Sequence, residues 1–175
     1  MSSNSFTIHQ LQPLNPNHEN IHSTQNKLHE NLLVLLKEQF ESENRMEEDA
    51  NLHLESFLDN MKNTGMISNT FWVLIVENDE REACGFICLC FLPKLNKKNG
   101  YLYVDELFVR EKFRRCGIAS ILLDETKKIA KNLNMAGVRL LVRNENLKAQ
   151  ALYQKSGFSL SETLFGQFIP PKNNQ

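Results

Sequence analysis

Apolar positions along the 175-residue chain fall into three patterns. The first is alternation. Phe6 and Ile8 alternate with polar neighbours and Leu11 falls slightly out of step, which predicts a short strand over Phe6–Leu11, closed by Pro13. The second is helical. Leu28, Leu32, Leu35 or Leu36 and Phe40 recur at helical spacing within Ser23–Phe40, with Ser23 or Thr24 as cap candidates. Leu52, Leu54, Phe57, Leu58 and Met61 outline a second helix ending near Gly65, beyond an acidic connector over Glu41–Asp49. The third is the unbroken apolar run. Phe71–Val76 reads as a strand, and Glu82–Leu92, apolar on both faces, reads as a buried one. The polar turn Glu77–Arg81 separates them.

Tyr101–Val109 gives a further strand after a lysine-bearing loop over Pro93–Gly100. Ile118, Leu122, Ile129 and Leu133 form the apolar face of a helix near Gly117–Asn132. A strand over Val138–Val142 follows, then a helix over Asn146–Ser156 with Gly157 as a left-handed cap candidate. Phe158–Phe168 is expected to hold one or two closing strands. The order β, α, α, β, β, β, α, β, α, β predicts a mixed α/β sheet with an antiparallel meander and one parallel crossover. The length suits a single domain over 1–170 with a polar tail over 171–175.

Composition narrows the class. Hydrophobic residues are 41% and charged residues 23%, as in a globular chain and unlike a disordered one. The longest apolar stretch, Ala83–Leu92, is too short for a membrane helix. The first residues lack a signal-peptide pattern, so a cytoplasmic location is expected. Cys84, Cys88, Cys90 and Cys116 form no Cys-x-x-Cys pair and are expected to be reduced core thiols. The five histidines are scattered, and no metal site is expected. The net charge of −1 predicts no nucleic-acid partner, but its distribution is uneven. Residues 1–80 hold 4 basic against 13 acidic side chains, and residues 81–175 hold 16 against 8. Surfaces of opposite sign follow, one suited to an anion and one to a cation.

The segment Arg110-Glu111-Lys112-Phe113-Arg114-Arg115-Cys116-Gly117-Ile118-Ala119 joins a strand to a helix. Gly117 and Ala119 are small enough for backbone N–H groups to approach a ligand, and a helix N-terminus adds unpaired donors and partial positive charge. With basic residues at 110, 112, 114 and 115 around it, this is a candidate anion site for a phosphate or pyrophosphate. It is neither a P-loop nor Gly-x-Gly-x-x-Gly.

This stretch resembles the Arg/Gln-x-x-Gly-x-Gly/Ala motif of the GNAT (Gcn5-related) N-acetyltransferases, here Arg114-x-x-Gly117-x-Ala119. A second family signature follows as Asn146-x-x-Ala149-x-x-Leu152-Tyr153-x-x-x-Gly157-Phe158. The resemblance implies a GNAT-like, largely antiparallel central sheet, flanked by about four helices and splayed at an acetyl-CoA site. It implies acetyl-CoA as donor. Backbone amides over Arg114, Arg115, Cys116, Gly117, Ile118 and Ala119 would hold the pyrophosphate. Leu107, Phe108 and Val109 would pair their backbone with pantetheine, and a bulge would splay this strand from Val138–Val142. Asn146 would contact pantetheine, against the alternative of a helix N-cap.

Acetyl transfer to an amine needs a base, an oxyanion donor and an acid. The resemblance implies the backbone N–H near Leu107 as donor and Tyr153 as acid, since a phenol is protonated at neutral pH. Asp105 and Glu106 interrupt an apolar strand, and an unpaired carboxylate there is costly without a role. Adjacent strand residues face opposite sides, so separate roles are expected. The run Val-Asp-Glu-Leu-Phe-Val is similar to that of the diamine and related small-amine acetyltransferases. The similarity implies Asp105 as base through water and Glu106 as the group binding a cationic acceptor, although either is a candidate base. A cationic small amine is therefore the expected acceptor, with direct transfer in a ternary complex. The alternatives are a protein N-terminal or lysine acetyltransferase and a non-catalytic acyl-CoA-binding regulatory module. The resemblance also admits a homodimer.

Overall fold

The computed structural model of the chain describes residues 5–11, 19–42, 70–95 and 99–170, without the side chains of 19–23, and among these residues five strands and three α-helices form. The strands are β1 (Phe6–Gln10), β2 (Phe71–Asn78), β3 (Ala83–Leu92), β4 (Tyr101–Val109) and β5 (Gly137–Leu140). The helices are α1 (Glu19–Ser42), α2 (Ile118–Asn132) and α3 (Leu147–Lys155), and a 3-10 turn spans Glu111–Phe113. The expected helix near 52–65 and the acidic residues 43–49 lie outside the described residues. No helix among the described residues is long and apolar enough to cross a membrane.

Contacts divide the chain into two compact units, one ending at Leu141 and one beginning at Val142. The first holds a sheet of order β1-β2-β3-β4-β5. Its first three pairings are antiparallel and β4 pairs with β5 in parallel, as the α2 crossover requires. One sheet face carries α1. Leu28, Leu32, Leu35 and Leu36 of the helix pack with Val73, Ile75, Phe86, Cys88 and Phe108. Two polar residues also tie α1 to the sheet: Asn31 donates to Glu77 at 2.6 Å, and Gln39 to Glu106 at 2.8 Å. On the crossover side, α2 buries Ile118, Leu122, Leu123, Thr126 and Ala130 and packs on β3, β4 and β5. Trp72 is a core residue.

The second unit contains α3. Asn146 Oδ1 accepts the Ala149 N–H at 3.1 Å and caps the helix start. Gly157 ends it in the left-handed region (φ 85°). The Phe158 N–H then reaches back to the Tyr153 carbonyl, and the Phe158 ring meets the Tyr153 ring edge-on at 5.9 Å. The strands expected over Phe158–Phe168 do not form; residues 159–170 are irregular and mostly exposed. Their apolar pattern does not alternate, since Leu164 and Phe165 are adjacent and Gly166 follows.

Candidate active site

The turn from β4 to α2 carries two left-handed residues, Arg115 (φ 69°) and Gly117 (φ 85°). Gly117 is the N-cap of α2, and a Cβ placed on it would meet no atom within 4 Å. The backbone is therefore bare at this point, and conformation rather than crowding selects glycine. The first intrahelical bond runs from the Ile121 N–H to the Gly117 carbonyl, so the amides before residue 121 belong to the helix end that lacks intrahelical partners. The turn thus fits an anionic group at a helix N-terminus.

The basic residues around it do not all serve this purpose. Arg110 is bidentate to Glu38, at 2.7 Å through Nε and 2.5 Å through Nη2, and its Nη1 donates to Glu82 at 2.8 Å. Lys112 also bonds Glu82. The hydrogen bond from Lys112, with help from Arg110, holds the Glu82 carboxyl below its usual range. Of the four basic side chains expected around the anion, Arg110 and Lys112 are thus engaged by carboxylates. Arg114 and Arg115 remain exposed on the turn, with Arg114 Nε bonding the Val109 carbonyl at 3.2 Å.

β4 loses β5 beyond Val104, which pairs with Leu140. From Asp105 to Val109 that edge has no strand partner among the described residues. The Arg110 N–H bonds the Cys84 carbonyl on β3. Strand alternation then directs the backbone of Phe108 toward β3 and that of Leu107 and Val109 toward the open edge. Of the three residues expected to ladder with pantetheine, two offer backbone groups there. Phe108 instead fills the core, 7% exposed, with its ring 6.1 Å from that of Phe86.

A bulge sits where the splay begins. Val104 pairs with Leu89 and Glu106 with Cys88, so Asp105 is an extra residue without an opposite number. Leu89 and Cys88 face opposite ways, so Val104 and Glu106 do too, although they are two apart. The expectation that Asp105 and Glu106 face opposite sides is thereby corrected. In a regular strand they would; with Asp105 inserted, Asp105 still alternates with Val104 while Glu106 takes the face of Cys88, so the two acids share one face. Both carboxylates raise the Cys88 thiol, after burial as the larger cause. Burial and then Asp105 raise Tyr103 and Cys90 on the same face. The face is electrically negative. Asp105 is exposed there, while Glu106 is half-buried and accepts from Gln39 Nε2.

Gln39 and Glu38 were not singled out from sequence. A signal existed: Gln39 continues the stripe of Leu32, Leu35 and Leu36, so a polar group stands where a leucine would. Gln39 is 2% exposed.

In the second unit, Tyr153 is buried and its ring meets that of Phe158 edge-on. Asn146 performs the cap reading through Oδ1, a bond that does not use its NH2 group. All four cysteines are free thiols. Cys84 and Cys88 are buried and Cys90 half-buried, but Cys116 is exposed on the turn and departs from the core expectation. No group of three or more His, Cys, Asp or Glu suited to a metal occurs among the described residues.

Comparisons with known proteins bear on the family and the fold. The profile of the Acetyltransferase (GNAT) family matches residues 30–158. An N-alpha-acetyltransferase of Saccharolobus solfataricus is 33% identical over 132 residues, covering 71% of this chain and 75% of that protein. Among solved structures, an aminoglycoside acetyltransferase from an uncultured soil metagenomic sample, in complex with sisomicin, superposes with a TM-score of 0.70 at 16% identity, covering 95% of this chain and 97% of that one. A ribosomal-protein-alanine N-acetyltransferase from Brucella melitensis superposes with a TM-score of 0.67 at 14% identity, covering 95% and 100%. At these identities the structures bear on the fold alone.

Proposed function

The chain belongs to the GNAT family of acetyltransferases and is an N-acetyltransferase; from that premise we propose that it transfers an acetyl group from acetyl-coenzyme A to a primary amine on a cationic small molecule, directly and within a ternary complex. The observation that carries the choice of acceptor is the bulge at Asp105, which turns two carboxylates to one face of β4 where β4 parts from β5. A cation approaching that face meets two negative charges and no basic side chain in the Gln39–Glu106 bond.

For the donor, the amides from Cys116 to Ala119 with Arg114 and Arg115 bind pyrophosphate. Leu107 and Val109 ladder with the pantetheine arm, and Asn146 contributes its amide. The Leu107 N–H donates to the acyl oxygen as negative charge develops there. The acceptor nitrogen must give up one proton before it attacks. The resemblance in sequence assigns that proton to Asp105, but the geometry favours Glu106, which is oriented by a fixed partner. Exposed Asp105 then draws in the cation. The new N–C bond forms, the C–S bond breaks and Tyr153 protonates the departing sulfur; the acylated nitrogen then loses its second proton, which through water restores the Tyr153 phenol.

Protein N-terminal acetylation is the second reading, favoured by the Saccharolobus relative named for it. One assay separates the two. Thiol release from acetyl-CoA is followed with spermidine, kanamycin and a tetrapeptide bearing a free N-terminus. Saturable release with spermidine or kanamycin, at a kcat/KM at least tenfold above the peptide, is expected. The opposite order overturns the small-amine reading.

A further inference from the structure

We infer that Gln39 is a positioning residue for the reaction, fixing the carboxylate of Glu106 and acting on turnover only through it; this rests on the role given to Glu106 above. Gln39 lies in the last turns of α1 and is 2% exposed. Its Nε2 donates to Glu106 Oε2 at 2.8 Å across 67 residues of chain.

Three features make this bond an orienting device. The terminal torsion of a glutamate is soft, so a strand glutamate does not hold its carboxylate plane unaided. The bulge turns Glu106 from the face of Val104 to the face of α1, where the amide waits. The amide itself is held, because the preceding residue, Glu38, is clamped bidentately by Arg110 at the end of the same strand. Two consecutive helix residues therefore grip β4 at two points.

The chemistry of the donor matters as well. A lysine or arginine in this place would orient Glu106 but cancel its charge. A neutral amide orients it without adding a positive charge of its own. Arg110, the nearby cation, is compensated by Glu38 and Glu82. The Arg110 charge is thus directed to Glu38 and Glu82.

The test is a double-mutant cycle of Gln39→Met, which keeps volume and removes the donor, with Glu106→Gln. Acetyl-CoA is used with whichever of spermidine, kanamycin and the tetrapeptide gives the highest rate. Gln39→Met is expected to lower kcat about tenfold or more while acetyl-CoA KM stays within twofold, as a misplaced catalytic group does. In the Glu106→Gln background the same change is expected to cost less than twofold. Equal losses in both backgrounds, or wild-type kcat in Gln39→Met beside an impaired Glu106→Gln, overturn the inference alone. Wild-type kcat in Glu106→Gln overturns the role of Glu106 and the inference with it. Gln39→Asn, which keeps the amide but withdraws it by one methylene, is read in the same way if Gln39→Met does not fold.

Discussion

Asp105 has no opposite number on β3, and so the two acidic side chains share a face that regular alternation would have divided between them. Their roles are separable by charge deletion. Asp105→Asn is expected to raise acceptor KM about tenfold at low salt, with the loss shrinking as ionic strength rises, because an exposed charge acts through a screened field. Glu106→Gln is expected to lower kcat, with partial recovery at high pH as free amine becomes available. Steady-state kinetics from pH 6 to 9 at two salt concentrations would check both, and a salt-independent Asp105→Asn would refute long-range attraction. Tyr153→Phe keeps the ring against Phe158 and removes the proton donor. Its kcat is expected to fall roughly 10²–10⁴-fold with coenzyme affinity within about twofold; unchanged turnover would make the residue a packing element. Gly117→Asp is expected to abolish tight coenzyme binding by titration calorimetry, since it imposes a side chain at φ 85° and a negative charge on an anion site.

At the scale of elements, each signature spacing has a local cause. In Leu152-Tyr153-x-x-x-Gly157-Phe158, the left-handed glycine ends α3 and returns the next residue to the turn that holds Tyr153. Tyrosine, glycine and phenylalanine are therefore one structural unit, legible in sequence because every contact in it is short-range. Arg114-x-x-Gly117-x-Ala119 is legible for the same reason. The ion-pair network is not. Arg110 and Lys112, Glu82, and Glu38 come from three separate segments, joined only by the pairing of β3 with β4 and the packing of α1 on the sheet. Removing the guanidinium leaves Glu38 without this cation and Glu82 with Lys112 alone. Arg110→Met is therefore expected to destabilise the fold by on the order of 1–3 kcal/mol, the range for charged hydrogen bonds. Urea denaturation would measure this, and an unchanged midpoint would mean that the network contributes nothing to stability.

Over the whole molecule, the thiols of β3 set a limit on alkaline stability. Burial pushes Cys84 from 9.0 up to about 11, and pushes Cys88 higher still with help from the charges of Asp105 and Glu106. The folded chain keeps these protons after the unfolded chain has begun to lose them. Stability is thus complete below the ordinary thiol range and falls as pH rises from 9.0 through about 11. Thermal unfolding from pH 8 to 11 is expected to show this decline, flattened in Cys84→Ala; an equally steep decline in that variant would assign it to other groups. The sequence by itself determined the α/β class, four of the five strands nearly to their ends, the glycine turn before α2, and the tyrosine helix with its closing glycine. Those features follow from periodicity and from contacts within a few residues. Tertiary structure decided the rest. It determined that β4 carries a surplus residue, since a bulge exists only relative to the partner strand. It also determined which basic residues pair with carboxylates and that Gln39 stands beside Glu106. The strands expected over Phe158–Phe168 show the same limit from the other side. A strand needs a partner ladder as well as apolar residues, and no local pattern supplies the partner.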